Sequence, residues 1–419
     1  MESLLSVCKY LTIAILENGG ETYRAEESIT RLCERFGLHN ADILAFPTGV
    51  ILSIRDDQKR CYTEVCRVKK RSFNLQRLNE ANDISRKVIS GEISLFEAEK
   101  SFAQKQLKKE ADKKKNGYLL NVVAGALSSG FFAVLFGGGI LEFIAAMLCG
   151  VAIQMFLSTL KRMDIFHFVS NFVGSFIASV IAVIFLLFFP DLNVSNVIIG
   201  AIMPLLPGLV MTNAIRDTIN GDLVSGVSRL AEVLLVAVCL AAGVGTVLSA
   251  YVFFGGTINS HVIVNGDFLF ETVKALVFCS LASFFFGMLL SAPKKSLIPS
   301  AVIAALGYYV FYIFSYFGLS IMLGGFLGTM LIAISGEIFA RIFKMPATVF
   351  VFPAVIPLVP GIWLYETMLF LVQGDYAGFA TKGTDTVFFA GVMAGAIAVT
   401  SFLFKAITNK NKTERRHKK

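Results

Sequence analysis

From Gly117 to the end of the chain, about ten apolar runs follow one another, each long enough to cross a bilayer. They lie roughly at 118–137, 139–160, 165–189, 195–215, 230–254, 268–291, 297–316, 319–340, 347–371 and 386–406. A helix rising 1.5 Å per residue needs about 20 residues to traverse about 30 Å of hydrocarbon. No water is present there to satisfy the backbone, so each run must close its own hydrogen bonds as a helix. Composition agrees, with 55% hydrophobic residues, 39 Phe and only 16% charged residues. A typical soluble domain carries about 25% charged residues. Roughly half of the charge precedes residue 117, which predicts a soluble N-terminal part ahead of the membrane part.

The net charge of +8 follows the membrane and does not call for nucleic acid. Loops with Lys161 and Arg162, Arg216 and Arg229, Lys294 and Lys295, and Arg341 and Lys344 alternate with loops almost free of Lys and Arg. Only Lys382 breaks the alternation. Basic residues mark the cytoplasmic side, so both termini are expected there. The run Lys108, Lys109, Lys113, Lys114 and Lys115 then marks the inner edge of the first span. The apolar stretch Leu4–Leu16 is interrupted by Lys9 and has no basic leader or small-residue cleavage site, so it is not read as a secretory signal. Seven cysteines without a CxxC pair and four scattered histidines predict reduced thiols and no metal site.

Two of the runs carry the same interruption. Pro204-Leu205-Leu206-Pro207-Gly208 returns as Pro357-Leu358-Val359-Pro360-Gly361, 153 residues later (357 − 204). The same offset carries Asn220-Gly221-Asp222 onto Gln373-Gly374-Asp375. Each proline removes an N–H and clashes with the preceding turn, freeing the carbonyl four residues back. Those carbonyls belong to Gly200, Met203, Pro353 and Ile356. Matched Pro/Gly breaks in two halves point to a transporter's binding site; the simpler reading is a structural kink. Five spans per half is an odd number, so the second half enters the membrane in the opposite sense and forms an inverted repeat.

Residues 1–116 read as a small α+β domain. Helices are predicted over Leu4–Leu16, Glu21–Phe36, Leu75–Ser90 and Leu95–Lys115, and strands over Ile43–Ile54 and Cys61–Phe73. The expected fold is thus mainly α, a polytopic membrane protein of about ten helices in two five-helix inverted repeats behind a small α+β cytoplasmic domain. The boundaries are 1–116, 117–255, 266–407 and a basic tail at 408–419.

Specific stretches resemble a known family. Gly19-Gly20-Glu21-Thr22-Tyr23-Arg24-Ala25-Glu26-Glu27, Phe46-Pro47-Thr48-Gly49, and the run from Pro204 through Arg216-Asp217, Gly221-Asp222, Ser225-Gly226, Arg229 and Glu232 resemble the threonine/serine exporters. The half centred on Pro357–Gly361 is similar to that family's shorter C-terminal membrane module, which some members encode as a separate chain. The resemblance implies a bacterial cytoplasmic-membrane protein that exports small polar amino acids on the proton gradient, with small carboxylates as the substrates of some relatives. It supplies no catalytic signature, so the site residues are read from physics.

Polar groups in hydrocarbon are functional hypotheses by default. Asn121, Gln154, Asn171 and Asn213 offer amides that suit an amino acid without burying charge; interhelical hydrogen bonding is the plainer role. Helices starting after Gly208 and Gly361 present N-terminal dipoles to a substrate carboxylate, beside Pro204, Pro207, Pro357 and Pro360. Thr212 and Tyr365 add hydroxyls, and Trp363 a packing face. Glu366, the repeat mate of Asn213 (366 − 153), is expected to be desolvated and to couple protons; the alternative is a carboxylate snorkelling to the outer headgroups. Arg216, Asp217, Asp222, Arg229 and Glu232 form a cytoplasmic gate or a static staple. Glu337 and Arg341 read as a helix pair, and Arg24, Glu26 and Glu27 as a solvated helix face in preference to a docking surface.

The function expected is secondary export of threonine or serine, with small dicarboxylates such as succinate as the alternative. The partners implied are a small polar amino acid or carboxylate and the lipid bilayer, with a homo-oligomer left open and no cofactor. A membrane-anchored hydrolase or regulatory subunit is the reading from another class. Against a hydrolase, residues 1–116 hold one histidine, His39, and neither GxSxG nor HExxH. Against an ATP-driven pump, no GxxxxGK[ST] loop occurs.

Overall fold

The computed structural model describes the backbone of all residues except 57, 69–72, 113–116, 161–166, 220, 258–267 and 418–419, and the side chains of those except 105–112, 167, 209, 368, 372 and 405–417. Lys113–Lys115, Lys161, Arg162 and Asn220 lie outside the described residues, as do the side chains of Lys108, Lys109 and the basic tail.

The N-terminal part comprises α1 (Glu2–Glu17), α2 (Thr22–Arg35), strands β1 (Ala41–Phe46), β2 (Gly49–Arg55) and β3 (Cys61–Arg67), α3 (Leu75–Ser90) and α4 (Leu95–Asp112). The apolar face of α1, with Leu4, Cys8, Leu11 and Ile15, is buried with Ile29 and Leu32 of α2, Leu52 and Ile54 of β2, and Leu75 and Ile84 of α3. The single strand expected over Ile43–Ile54 is two strands of an antiparallel hairpin, paired from Ala41↔Ile54 to Phe46↔Gly49. Pro47 is the reason: it has no N–H for a ladder and its fixed φ suits the second position of a tight turn.

The rest is helical. The first half holds α5 (Gly117–Leu135), α6 (Ile140–Leu160), α7 (His167–Phe188), α8 (Val194–Ile202), α9 (Gly208–Ile219) and α10 (Leu223–Phe253). The second holds α11 (Phe268–Leu289), α12 (Lys294–Tyr316), α13 (Ile321–Phe343), α14 (Thr348–Val355), α15 (Gly361–Gln373) and α16 (Tyr376–His417). Among the described residues, eight helices are long and apolar enough to cross a membrane, and the bent pair α8–α9 makes a ninth. The run expected at 347–371 is two short helices, α14 and α15, separated by Pro357 and Pro360.

One offset relates the halves. Adding 153 to the first residues of α5, α6, α7, α8, α9 and α10 gives 270, 293, 320, 347, 361 and 376, and the second-half helices begin at 268, 294, 321, 348, 361 and 376. Packing repeats as well. α5 lies on α6, α6 on α7, α7 on α10, α10 on α9, and α8 against α5, α6 and α7. Correspondingly, α11 lies on α12, α12 on α13, α13 on α16, α16 on α15, and α14 against α11, α12 and α13. Between the halves α5 packs on α11, while α10 meets α15 and α9 meets α16. Such reciprocal exchange is the contact pattern of a pseudo-twofold axis.

Candidate functional site

The two broken helices meet at their breaks. A 3₁₀ turn, Met203–Leu205, ends α8, and the chain bends by 55° before α9. A Cβ at Gly208 would fall 2.2 Å from Val359 Cγ1, and one at Gly361 would fall 2.9 Å from Leu206 Cδ1. Leu206 and Val359 are repeat mates, as are the two glycines, so each break seats its glycine against the other's apolar residue. Only glycine permits that approach. Three of the four freed carbonyls are satisfied by protein: Pro353 accepts from the Ser283 hydroxyl of α11 at 2.7 Å, and Met203 and Ile356 accept from Leu206 and Val359. For these three no watery cavity is needed.

The hollow lies beside them, between α9 and α14. Thr212, Asn213 and Arg216 of α9 face Thr348, Val351, Phe352 and Val355 of α14; Ala333 and Glu337 of α13, Ala347, and Ile397 and Ser401 of α16 complete the wall, with Arg24 of α2 closing it. Helical spacing of three or four residues puts each set on one face. The cavity has about 20 Å³ of room, enough for about one water. Asn213 and Thr348 are 1% and 3% exposed, and among the described residues the Asn213 Nδ2 and Thr348 Oγ1 atoms have no hydrogen-bond partner.

The N-terminal part is fastened to this end of the bundle. Glu21, fully buried, pairs with Arg216 through Oε1 and with Arg24 at 2.6 Å through Oε2. Arg216 also donates to the Tyr23 hydroxyl at 2.8 Å and to Ser401 Oγ at 3.0 Å. Arg229 pairs with Asp217 at 2.9 Å and donates to the Gly20 carbonyl at 3.2 Å, and Thr22 donates to Asp222 at 3.2 Å. By length α10 runs about 46 Å, longer than the hydrocarbon core, so its first turns can carry Arg229 out to this contact. On the other half, the first N–H groups of α3 donate to the carbonyls of Leu290 and Ser291, both at 2.9 Å, which satisfies donors a helix start leaves open. Burial pushes the Glu21 carboxyl up, but the guanidinia of Arg216, Arg24 and Arg229 outweigh it and hold it below the usual carboxylate value.

Comparison with known proteins agrees with this architecture. The ThrE family model of threonine/serine exporters matches residues 6–251. The chain belongs to the threonine/serine exporter family. A second exporter model, described as threonine/serine exporter, ThrE, matches 275–403, so the boundary between the two matches falls at the junction of α10 and α11. A threonine/serine exporter of Corynebacterium glutamicum is 22% identical over 395 residues, 93% of this chain and 78% of that protein. An uncharacterized protein of Haemophilus influenzae is 23% identical over 145 residues, 33% of this chain and 49% of its own length. No solved structure matches the chain. Family and apolar helices together make this a multi-pass membrane protein of an amino-acid exporter family.

In this exporter fold the expected site residues divide. Thr212 and Asn213 line the cavity with Arg216, whereas Pro204, Pro207, Gly208, Pro357, Pro360 and Gly361 form the packed breaks. Gln154 of α6 lies over Gly125 of α5, and Asn171 of α7 is buried with its Nδ2 unpartnered among the described residues. Neither lines the cavity, nor does half-buried Asn121. Trp363 packs edge-on against Phe389, ring centroids 5.0 Å apart, and Tyr365 is buried. Glu366, expected to be desolvated, has a side chain 35% exposed with its Oε2 buried, and that oxygen pairs with Lys382 of α16 at 3.3 Å. The partner is the lysine that broke the loop-charge alternation, and it is the repeat mate of Arg229 (382 − 153). Asp217, Asp222 and Arg229 join the N-terminal contact, and Glu232 lies half-buried one turn beyond Arg229.

Arg24 and Glu26 do not form the solvated face expected of them. Arg24 enters the cavity, and Glu26 accepts from the Ala45 N–H at 2.8 Å; Glu27 alone keeps a surface pair, with Arg31. Glu337 turns to the cavity, while Arg341 lies over the Phe404 ring at 4.4 Å. Reading the sequence missed Arg24, Glu337, Thr348 and Ser401. A charge within an apolar run marks Glu337, whereas Thr348 and Ser401 leave no signal in a chain rich in hydroxyls.

Proposed function

We propose that the chain exports small polar amino acids, threonine and serine foremost, from the cytoplasm in exchange for protons, by alternating access of its two halves. The observation that carries this is the reciprocal contact of the two broken helices, Gly208 on Val359 and Gly361 on Leu206, with a polar cavity at their side. Counting α14 with α15 as one crossing, like α8 with α9, gives five per half, which supports an inverted second repeat, and the basic loops support cytoplasmic termini and a cytoplasmic N-terminal part. Two ion pairs whose basic partners are repeat mates then close opposite ends. Arg229–Asp217 joins α10 to α9 at the inner end, and Lys382–Glu366 joins α16 to α15 at the outer end. A proton arriving from outside neutralises Glu366, releases Lys382 and lets the outer end open.

The substrate enters from the cytoplasmic mouth beside Thr212 and Asn213. At about 20 Å³ the cavity is closed, so α9 and α14 separate on loading. A second reading, export of a small dicarboxylate, is favoured by the two guanidinia of Arg24 and Arg216 at one cavity. Counterflow in proteoliposomes with labelled threonine, serine and succinate, with and without a pH gradient, separates the two. Exchange of threonine and serine, accelerated by an inward proton gradient, is expected. Exchange of succinate alone replaces the first reading with the second, and exchange of none refutes both.

A further inference from the structure

We propose that Arg216 binds the substrate's carboxylate, and that Glu21 of the N-terminal part occupies that position as a resident carboxylate until substrate displaces it. This rests on the exporter reading above and specifies what its cavity recognises.

Arg216 is 5% exposed, lines the cavity, and is already engaged as a carboxylate receptor: Glu21 on one side, the Tyr23 and Ser401 hydroxyls on the other, with the Tyr23 ring 5.2 Å from the guanidinium carbon. Planar guanidinium is the side chain best suited to a carboxylate. Glu21, Tyr23 and Arg24 all come from one short segment at the start of α2. When that segment withdraws, it removes one carboxylate and one guanidinium together. The polar groups left facing the cavity are Arg216, Glu337, Asn213, Thr348, Thr212 and Ser401. That is one cation, one anion and a set of neutral polar groups, two of them buried without partners among the described residues.

This is the complement of a zwitterion carrying a small polar side chain. The carboxylate replaces Glu21 on Arg216, the ammonium faces Glu337, and a side-chain hydroxyl meets the amide of Asn213 or the hydroxyl of Thr348. A dicarboxylate would bring its second charge against Glu337 and is disfavoured. The N-terminal segment thus sets how readily the site loads a carboxylate: apparent affinity for a ligand that needs Arg216 scales with the fraction of molecules in which Glu21 has left it, whereas a ligand without a carboxylate does not compete with Glu21.

The test is Glu21→Gln in the full chain, reconstituted and assayed by threonine counterflow, with threoninamide as a competitor that lacks the carboxylate. Removing the resident charge should lower the half-saturating threonine concentration about 10-fold and leave the threoninamide inhibition constant unchanged, and Arg216→Gln should show no saturable threonine exchange. An unchanged half-saturation, or equal shifts for threonine and threoninamide, overturns the proposal. Should Glu21→Gln not fold, the pair Thr22→Cys and Asp222→Cys, whose side chains touch in the parent, serves instead. Oxidised, that pair should halt counterflow and reductant should restore it, whereas undiminished flow in the oxidised pair overturns the proposal. The unaltered chain in the same vesicles reads the exporter function itself. Normal flow there with no Glu21 effect defeats only this inference, and no flow of any amino acid defeats both.

Discussion

Gly208→Ala tests whether the two breaks bear on each other. The new Cβ would meet Val359 Cγ1 at 2.2 Å and Val359 Cβ at 3.1 Å. Val359 is β-branched and 5% exposed, so it has no second rotamer ready and nowhere to swing. Overpacking of this kind costs about 1–3 kcal/mol, and the closeness of a stiff side chain puts this site toward the top of that range. Val359→Ala alone removes two buried methyl groups, about 1.6 kcal/mol at 0.8 each. If the pair touches, the double variant recovers most of the Gly208→Ala loss, because the deleted methyls are those that clashed. The coupling measured by the double-mutant cycle should therefore be about 1–3 kcal/mol. At the mate, Gly361→Ala meets the tip of a flexible leucine at 2.9 Å and should cost less. Heat denaturation of the detergent-solubilised variants, with threonine exchange alongside, provides the readout. Additive single effects, or Gly361→Ala as harmful as Gly208→Ala, would refute the reciprocal seating of the breaks.

Glu366→Gln should abolish acceleration by a pH gradient while leaving equilibrium exchange within about two-fold, since exchange needs no net protonation cycle; gradient-driven uptake at the parent rate would remove Glu366 from coupling. The Glu21 carboxyl is held below its ordinary 4.5, so its contribution to docking is complete above that pH and is lost as pH falls through the depressed value. Limited proteolysis should accordingly find that the protection lost on Glu21→Gln is the same from pH 8 to 5 and shrinks only in stronger acid; a Glu21 contribution already gone near pH 6 would contradict this. Gly243→Val places a Cβ 2.4 Å from the Phe172 carbonyl oxygen and 2.2 Å from Ser175 Oγ, and should part α7 from α10 at a cost of about 3 kcal/mol. Parental thermal stability in that variant would show that the two helices do not cross there.

The membrane half was largely legible because its signals are local or strictly periodic. Proline breaks a helix wherever it lies, and a duplication without insertions preserves one offset from α5 to α16. The offset even contained what the residue-by-residue reading overlooked: Lys382, an exception to the loop-charge rule, is Arg229 carried over by 153 residues, and an inverted mate of an inner basic residue belongs outside. The docking of the N-terminal part was not legible. Glu21 and Arg216 are 195 residues apart, and nothing in the pattern of α2 distinguishes a charge that faces water from one that faces a distant guanidinium. The hairpin was missed for a smaller reason, since β-forming residues flank Pro47 on both sides and only the proline divides them.

The repeat also makes a statement about a conformation other than this one. If the halves exchange roles during transport, the outer vestibule is built from the mates of the inner wall, so that Thr212, Asn213 and Arg216 hand over to Tyr365, Glu366 and Leu369. Leu369 is half-buried on α15, and it is the mate of the cavity's arginine. A cysteine there should react slowly with a membrane-impermeant thiol reagent applied from outside while Lys382 and Glu366 hold the outer end shut. A pair about one-third exposed contributes at most about 1 kcal/mol, which is a factor of roughly five in the open population. Adding Lys382→Ala should therefore speed labelling about five-fold, and Asp217→Asn, which loosens the inner end, should slow it. Native cysteines at Cys61 and Cys239, exposed and half-buried, are replaced by serine in the background. Labelling indifferent to Lys382, or faster from the cytoplasmic face, would mean that the mates do not share a path and that the symmetry is a relic of duplication rather than the device by which the exporter works.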